Sequence, residues 1–312
     1  TEVKTFPVPF ALGEKKENIT ITTNSPSKPS KEQIIKQAFN FHSQGNTSEA
    51  AKYYKCFIDQ GFKDHRVFSK YGAILQGLGK SEEAEKWFRK AIEIKPDFAE
   101  AHSNLGTILR GLGNLQDAEL SYRKAIEIRP DYAEAHFNLG VIYNLLGDPY
   151  EAIIAFKKAI KYAPDYLDAI FGLGSNLINI RKNEEGKSYL RNILDFKPSK
   201  DRHINQNNLL KMQTEAITKL IHCLFHEGDF ESTKRLLNKI PRNEFYHSYK
   251  IACLLGLDET NNFEKEYKII SKENICNSII GSVIDHSNII HDKKTNSTFC
   301  NEAINYIMKK NL

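Results

Sequence analysis

From residue 31 onward, short apolar clusters alternate with polar stretches at helical spacing, and the whole pattern returns every 34 residues. Prolines mark the interval at Pro96, Pro130, Pro164 and Pro198, and turn glycines at Gly79, Gly113 and Gly147. The pairs Tyr71-Gly72, Leu105-Gly106, Leu139-Gly140 and Leu173-Gly174 keep the same register. So do the small residues Ala50, Ala84, Ala118, Ala152 and Gly186, and the large apolar residues Tyr54, Phe88, Tyr122, Phe156 and Leu190. A second alanine series runs through Ala91, Ala125 and Ala159. A repeat of this length predicts two helices of about 14 residues with short turns between them. Gly72, Gly106 and Gly140, facing Ala84, Ala118 and Ala152, are expected to let paired helices approach closely. Phe88, Tyr122 and Phe156 are expected to fill the space between successive repeats. Five units follow, at 31–64, 65–98, 99–132, 133–166 and 167–200.

Helix starts are expected at Asp97-Phe-Ala-Glu100 and Asp131-Tyr-Ala-Glu134 as capping boxes, with Asp165 and Asp168 as a weaker copy. Asp148-Pro149-Tyr150-Glu151 supplies a cap, a proline at the first helical position and an acid at the third; Asn46-Thr-Ser-Glu49 does the same work. Residues 1–30 carry Pro7, Pro9, Pro26 and Pro29, a spacing no helix tolerates. They read as an N-terminal arm, either disordered or packed through Phe6, Val8 and Phe10. The polar stretch 199–213 is read as a loop or an extended first turn. A degenerate sixth helical pair is expected over about 214–240 with Gly228 in its turn and Thr233 at the small-residue position. Apolar groups around Tyr249, Phe263 and Ile279, and a terminal helix over 298–312, complete a helical extension or cap across 201–312.

These observations resemble the tetratricopeptide repeat (TPR) family, and the spacing matches it position by position. The resemblance covers about half the chain. It implies an all-α fold, a right-handed α-α superhelix with the first helix of each repeat on the concave side. The inward positions then supply Arg66, Ser69 and Gln76, followed by Glu100, Ser103, Thr107 and Arg110. The next repeats give Glu134, Phe137, Val141, Asn144 and Leu145, then Asp168, Phe171, Ser175, Ile178 and Asn179. Phe137, Val141, Leu145, Phe171 and Ile178 are expected to form an apolar patch, which marks a partner site or a seat for the arm or the C-terminal helices. Arg66, Arg110, Asn104, Asn138 and Asn144 form its polar rim, suited to the backbone of an extended peptide. Asn104 and Asn138 resemble two rungs of the asparagine ladder of the O-linked N-acetylglucosamine transferase repeats, while Lys36, Lys70 and Gly172 hold the other places. The carboxylate clamp of the chaperone-binding subclass is missing, with Ser69, Ala73, Phe137 and Val141 at its positions.

The whole chain is also similar to cyanobacterial proteins of this family, some of which continue into an iron- and 2-oxoglutarate-dependent oxygenase-like domain or a transferase. The chain begins at Thr1 and is read as a segment of a longer product, which leaves open a substrate-recruiting role beside a catalytic domain. Oxygenase chemistry needs a His-x-Asp/Glu pair, and none of the 10 histidines has an acid two places on.

Composition narrows the function further. A net charge of +5 on 312 residues is modest and dispersed, which argues against nucleic acid as a partner. Basic residues of the second helices, such as Arg89, Arg123 and Lys124, have acids nearby and read as a solvated outer face. No apolar run approaches a membrane span. Five scattered cysteines without CxxC spacing point to free thiols in a reducing compartment, hence the cytoplasm. His222 and His226 share a helix face but lack the HExxH order, and His286 with His291-Asp292 has no third ligand. No phosphate loop, dinucleotide fingerprint or nucleophile elbow occurs. The expectation is a non-catalytic scaffold with no cofactor or metal, binding a protein or peptide partner, its oligomeric state open.

Overall fold

The computed structural model describes residues 29–198, 205–257, 259, 261–263 and 265–266. The arm through Phe6, Val8 and Phe10, the segments around Ile270 and Ile279, the terminal helix, His286, His291, Cys276 and Cys300 lie outside the described residues. Within them the chain is all-α without a strand: thirteen helices, followed by helical residues at 261–263 and 265–266. The helices are α1 (Lys31–Ser43), α2 (Thr47–Asp59), α3 (His65–Gly77), α4 (Ser81–Ile94), α5 (Ala99–Gly111), α6 (Leu115–Ile128) and α7 (Ala133–Leu146). They continue as α8 (Pro149–Tyr162), α9 (Leu167–Asn179), α10 (Asn183–Asp195), α11 (Gln206–Glu227), α12 (Phe230–Leu237) and α13 (Glu244–Gly256). The chain divides into two compact units, Thr1–Ala101 and His102–Leu312.

The first unit builds its core from Ile34, Ala38, Ala50, Tyr54, Phe57 and Val67, all at most 1% exposed. In the second unit Ala118, Tyr122, Ala125, Ala152, Ala159 and Leu190 are completely buried, and Phe156 nearly so. Burying a ring of this size contributes about 1.5–3 kcal/mol. The small residues give the rings room. A Cβ added to Gly72 would lie 3.0 Å from the Phe88 ring, to Gly106 2.9 Å from Tyr122, and to Gly140 2.7 Å from Phe156. Gly172 on α9 meets Phe156 from the following repeat, where a Cβ would come within 2.8 Å. Each bare glycine is therefore the seat of an aromatic ring.

Local capping departs in part from expectation. Asp148 accepts from the N–H groups of Tyr150 and Glu151, with Pro149 opening α8, and Asn46 accepts from Glu49. At α7 and α9, however, the cap residues are Tyr132 and Tyr166, neither giving a side-chain cap bond. The reason is the preceding turn: the Tyr132 N–H donates to the Arg129 carbonyl and the Tyr166 N–H to that of Ala163, which places the tyrosine at the boundary. Asp131 is left exposed. Ser30 and Gln33 form a full capping box at α1, immediately after the proline-rich arm.

Within the polar stretch before residue 214, residues 206–213 are helical, and Asn205 caps α11 by accepting from the Asn207 N–H at 3.0 Å. Gly228 ends α11 in the left-handed conformation at φ 78°. Thr233 is fully buried, and its hydroxyl is satisfied by donating to the Asp229 carbonyl at 2.8 Å. The ring-on-glycine contact then recurs in reverse order, with Phe230 of α12 against Gly256 of α13.

Replacing Gly140 by Ala gains about 1 kcal/mol of helix propensity, but Phe156, held from both sides, cannot yield. We expect a net loss of about 1–2 kcal/mol in urea unfolding. Gly140→Ala combined with Phe156→Leu should lose less than the two single changes summed. Gly77→Ala, in open space, should not destabilise.

Candidate functional site

In the first unit the expected inward residues divide by burial. Arg66 is exposed, but its guanidinium is folded back on the α3 cap, with Nη2 2.8 Å from Asp64 Oδ2. It also lies over the Phe39 ring at 5.5 Å, where Lys70 approaches at 5.7 Å. The Asp64 carboxyl is desolvated, yet the Arg66 hydrogen bonds and charge outweigh that and hold its pKa below the usual value. Gln76 is half-buried, while Ser69 is buried at 5% exposure and presents no surface to a partner.

In the second unit the first helices carry parallel stripes. On α5, Asn104, Thr107 and Arg110 are half-buried. Thr107 Oγ1 donates to the Ser103 carbonyl at 3.2 Å and lies 3.0 Å from the Tyr122 hydroxyl. Burial raises the Tyr122 pKa. On α7, Phe137, Val141 and Leu145 stand at i, i+4 and i+8, one face of the helix. Their exposure rises along it: Phe137 and Val141 are half-buried, and Leu145 is 57% exposed beside exposed Asn144. Asn138 is buried at 7% exposure and presents little surface at the rim. On α9, Phe171 and Ile178 pack on the core of Leu167, Ile170, Leu190 and Ile193. Ser175 lies between them, its Oγ covered and without a protein partner.

The expected apolar patch is thus partly spent on internal packing. Phe137 lies 4.9 Å from Tyr166 and 5.8 Å from Phe156 between ring centroids. Burial, with the charges of Glu134 and Asp168, pushes the Tyr166 hydroxyl pKa well up.

Two features escaped the sequence reading. A recess of about 310 Å³ opens between α6, α7 and α8, with Ile126, Leu139, Ile154 and Ala155 among its lining residues. Arg123 borders it, bonded to Glu119 at 2.8 Å and to the Tyr143 hydroxyl at 2.6 Å. Buried His136 hydrogen-bonds the Pro130 carbonyl through Nε2 at 2.9 Å and stacks on Tyr162. The other feature is a polar cluster joining α10 to α11. Lys187, 5% exposed in its side chain, donates to Glu227 and to Glu184, each at 2.6 Å. Asn183 donates to Glu227 at 2.8 Å. The signal in sequence was a lysine one period after Ile153, itself buried.

Among the described residues no three His, Cys, Asp or Glu side chains gather as a metal site. His222 and His226 are exposed, with rings 4.4 Å apart. Cys56, Cys223 and Cys253 are free thiols, and burial pushes Cys223 up to about 11, away from reactivity. Among the described residues no helix is long and apolar enough to cross a membrane.

Residues 72–113 and 106–147 match the family described as TPR repeat, and residues 133–166 match the Tetratricopeptide repeat family. No curated protein matches the chain. Among solved structures, Pseudomonas aeruginosa PilF is 14% identical with a TM-score of 0.58, over 70% of this chain and 96% of its own. MamA from Desulfovibrio magneticus RS-1 is 19% identical with a TM-score of 0.49, over 55% and 97%. A thermophilic TPR protein of Thermus thermophilus is 17% identical with a TM-score of 0.47, over 62% and 100%. The likeness to PilF concerns the fold.

The Lys187 cluster yields a pH signature. Desolvation opposes the charge on both groups, but their hydrogen bonds prevail, leaving the Lys187 pKa raised and the Glu227 pKa lowered. The Glu227 contribution is present above its unfolded pKa and lost as pH falls through the folded value. That of Lys187 is present below its unfolded pKa and lost as pH rises through the raised one. Glu227→Gln should cost about 3 kcal/mol at neutral pH. The gap to wild type should close in acid unfolding titrations, whereas a gap constant down to about pH 3 would exclude the pair as its cause.

Proposed function

We propose that the chain is a non-catalytic tetratricopeptide-type scaffold that holds an extended peptide or protein segment against the first helices of its second unit. The observation that carries this reading is the α7 stripe. Phe137 and Val141 are anchored in the fold, while Leu145 at the same helix face stands in water at 57% exposure. An apolar side chain of a partner gains most where a rigid, half-covered row ends in an uncovered one. Asn144, Asn104 and Arg110 flank these stripes and supply amide and guanidinium groups for a peptide backbone. Phe171, Ser175 and Ile178 extend the apolar row on α9, and Thr107 extends the polar one on α5. On the first unit, Arg66 and Gln76 offer polar contacts of their own, and the buried Ser69 and Asn138 are dropped from the binding set.

Because Phe137 and Phe171 pack internally, truncating them disturbs the fold and tests nothing about binding. Leu145→Glu is the informative change. Peptides selected from a random display library against residues 1–312 should bind this variant at least about 10-fold more weakly, or about 1.4 kcal/mol. Leu78→Glu, on an equally exposed leucine of the first unit, should leave binding unchanged. Equal affinity of wild type and Leu145→Glu for every selected peptide sinks the assignment.

A further inference from the structure

The outward face of α8 differs from a solvated, salt-bridged surface. Tyr150 is 66% and Ile154 46% exposed, and they stand at i and i+4 on one stripe. On α6, Leu120 is 64% exposed one period before Ile154, where Lys86 and Ser188 hold the equivalent positions of other repeats. Leu120 and Ile154 thus stand exposed at equivalent positions of consecutive second helices, with Tyr150 one turn before Ile154. The recess of about 310 Å³ described above opens beside Ile154.

The charges on the same stripe are arranged in a particular way. Glu151 and Lys158 are both exposed and have no opposite charge within ion-pair distance among the described residues, although Glu151 acts on Arg123 and Lys158 on His136 at longer range. Their neighbours are engaged, since Arg123 pairs with Glu119, Lys124 with Glu127 and Lys157 with Glu185. Glu151 and Lys158 lie seven residues apart, two helical turns or about 10 Å along the axis. Their midpoint falls between Ile154 and Ala155. A second α8 laid antiparallel across this midpoint brings each Glu151 against the Lys158 of the other copy. Ile154 then lies beside the two-fold axis, close to its own equivalent. Opposite charges placed symmetrically about an apolar centre are what an isologous two-fold contact requires.

We propose that this face of α8 is a self-association surface whose occupant is a second copy of the same chain. It leaves the α7 stripe of the proposed peptide site free, and so stands independently of that reading. Like-charge replacement at either end breaks both symmetric ion pairs, and exchanging the two residues rebuilds them.

Sedimentation velocity of the full chain between about 1 and 200 µM is the test, with helicity checked by circular dichroism. Wild type should show a concentration-dependent monomer–dimer equilibrium. Lys158→Glu and Glu151→Lys should each weaken the dimer at least about 10-fold, as two attractive contacts become repulsive. The exchange variant Glu151→Lys/Lys158→Glu should return to within about 3-fold of wild type, since the same pairs re-form with reversed polarity. Ile154→Asp should abolish association without loss of helicity. A monomer at about 200 µM overturns the proposal. So does a dimer indifferent to the single changes, which places the contact elsewhere, or an exchange variant as weak as the single ones.

Discussion

Four of the described helix pairs, α3/α4, α5/α6, α7/α8 and α12/α13, depend on aromatic rings lying on glycines that have no side chain to hold them off. Phe156 is the fullest case, with Gly140 on one side and Gly172 of the next repeat on the other. One ring thereby fixes the spacing within a helix pair and the placement of the pair that follows. Glycine inside a helix is unfavourable by about 1 kcal/mol, so its presence at these positions makes sense only through the contact it permits. The aliphatic version, Leu190 against Gly174, uses Gly186 as well, because backbone then approaches backbone.

This dependence explains what was legible in the sequence. Among the positions that repeat every 34 residues, helical ones such as Ala118, Tyr122 and Ala125 have no exposure, and close packing tolerates few alternatives there. Chain direction and turn placement followed from Gly147, Gly228 and Asp148-Pro149, whose local chemistry is self-contained. The tyrosine-led starts of α7 and α9 were not legible, because a turn hydrogen bond outside the helix moved the boundary past the acidic residue.

The candidate surfaces were harder to read for a different reason. Register alone assigns Ser69 inward and Asn138 to the rim, but their burial depends on which neighbours close over them. Phe171 and Ile178 look like surface apolar groups by position and serve the core by contact. The outer face misled in the opposite sense. Its many lysines and glutamates suggested uniform solvation, while Leu120, Tyr150 and Ile154 stand exposed among them. Lys187 and Glu227, 40 residues apart, had no common motif to announce them.

That separation has a consequence for how the chain is made. The ring-on-glycine contacts join residues no more than 26 positions apart, as in Phe230 and Gly256. Each can form as soon as two consecutive helices have emerged during synthesis, with low loop-closure cost. The Lys187–Glu227 link must wait for the entire length of α11. Until then a lysine destined for burial remains in water among ordinary surface charges. Vectorial growth thus orders the interactions by chemistry as well as by position, the apolar seams first and this charged latch after them.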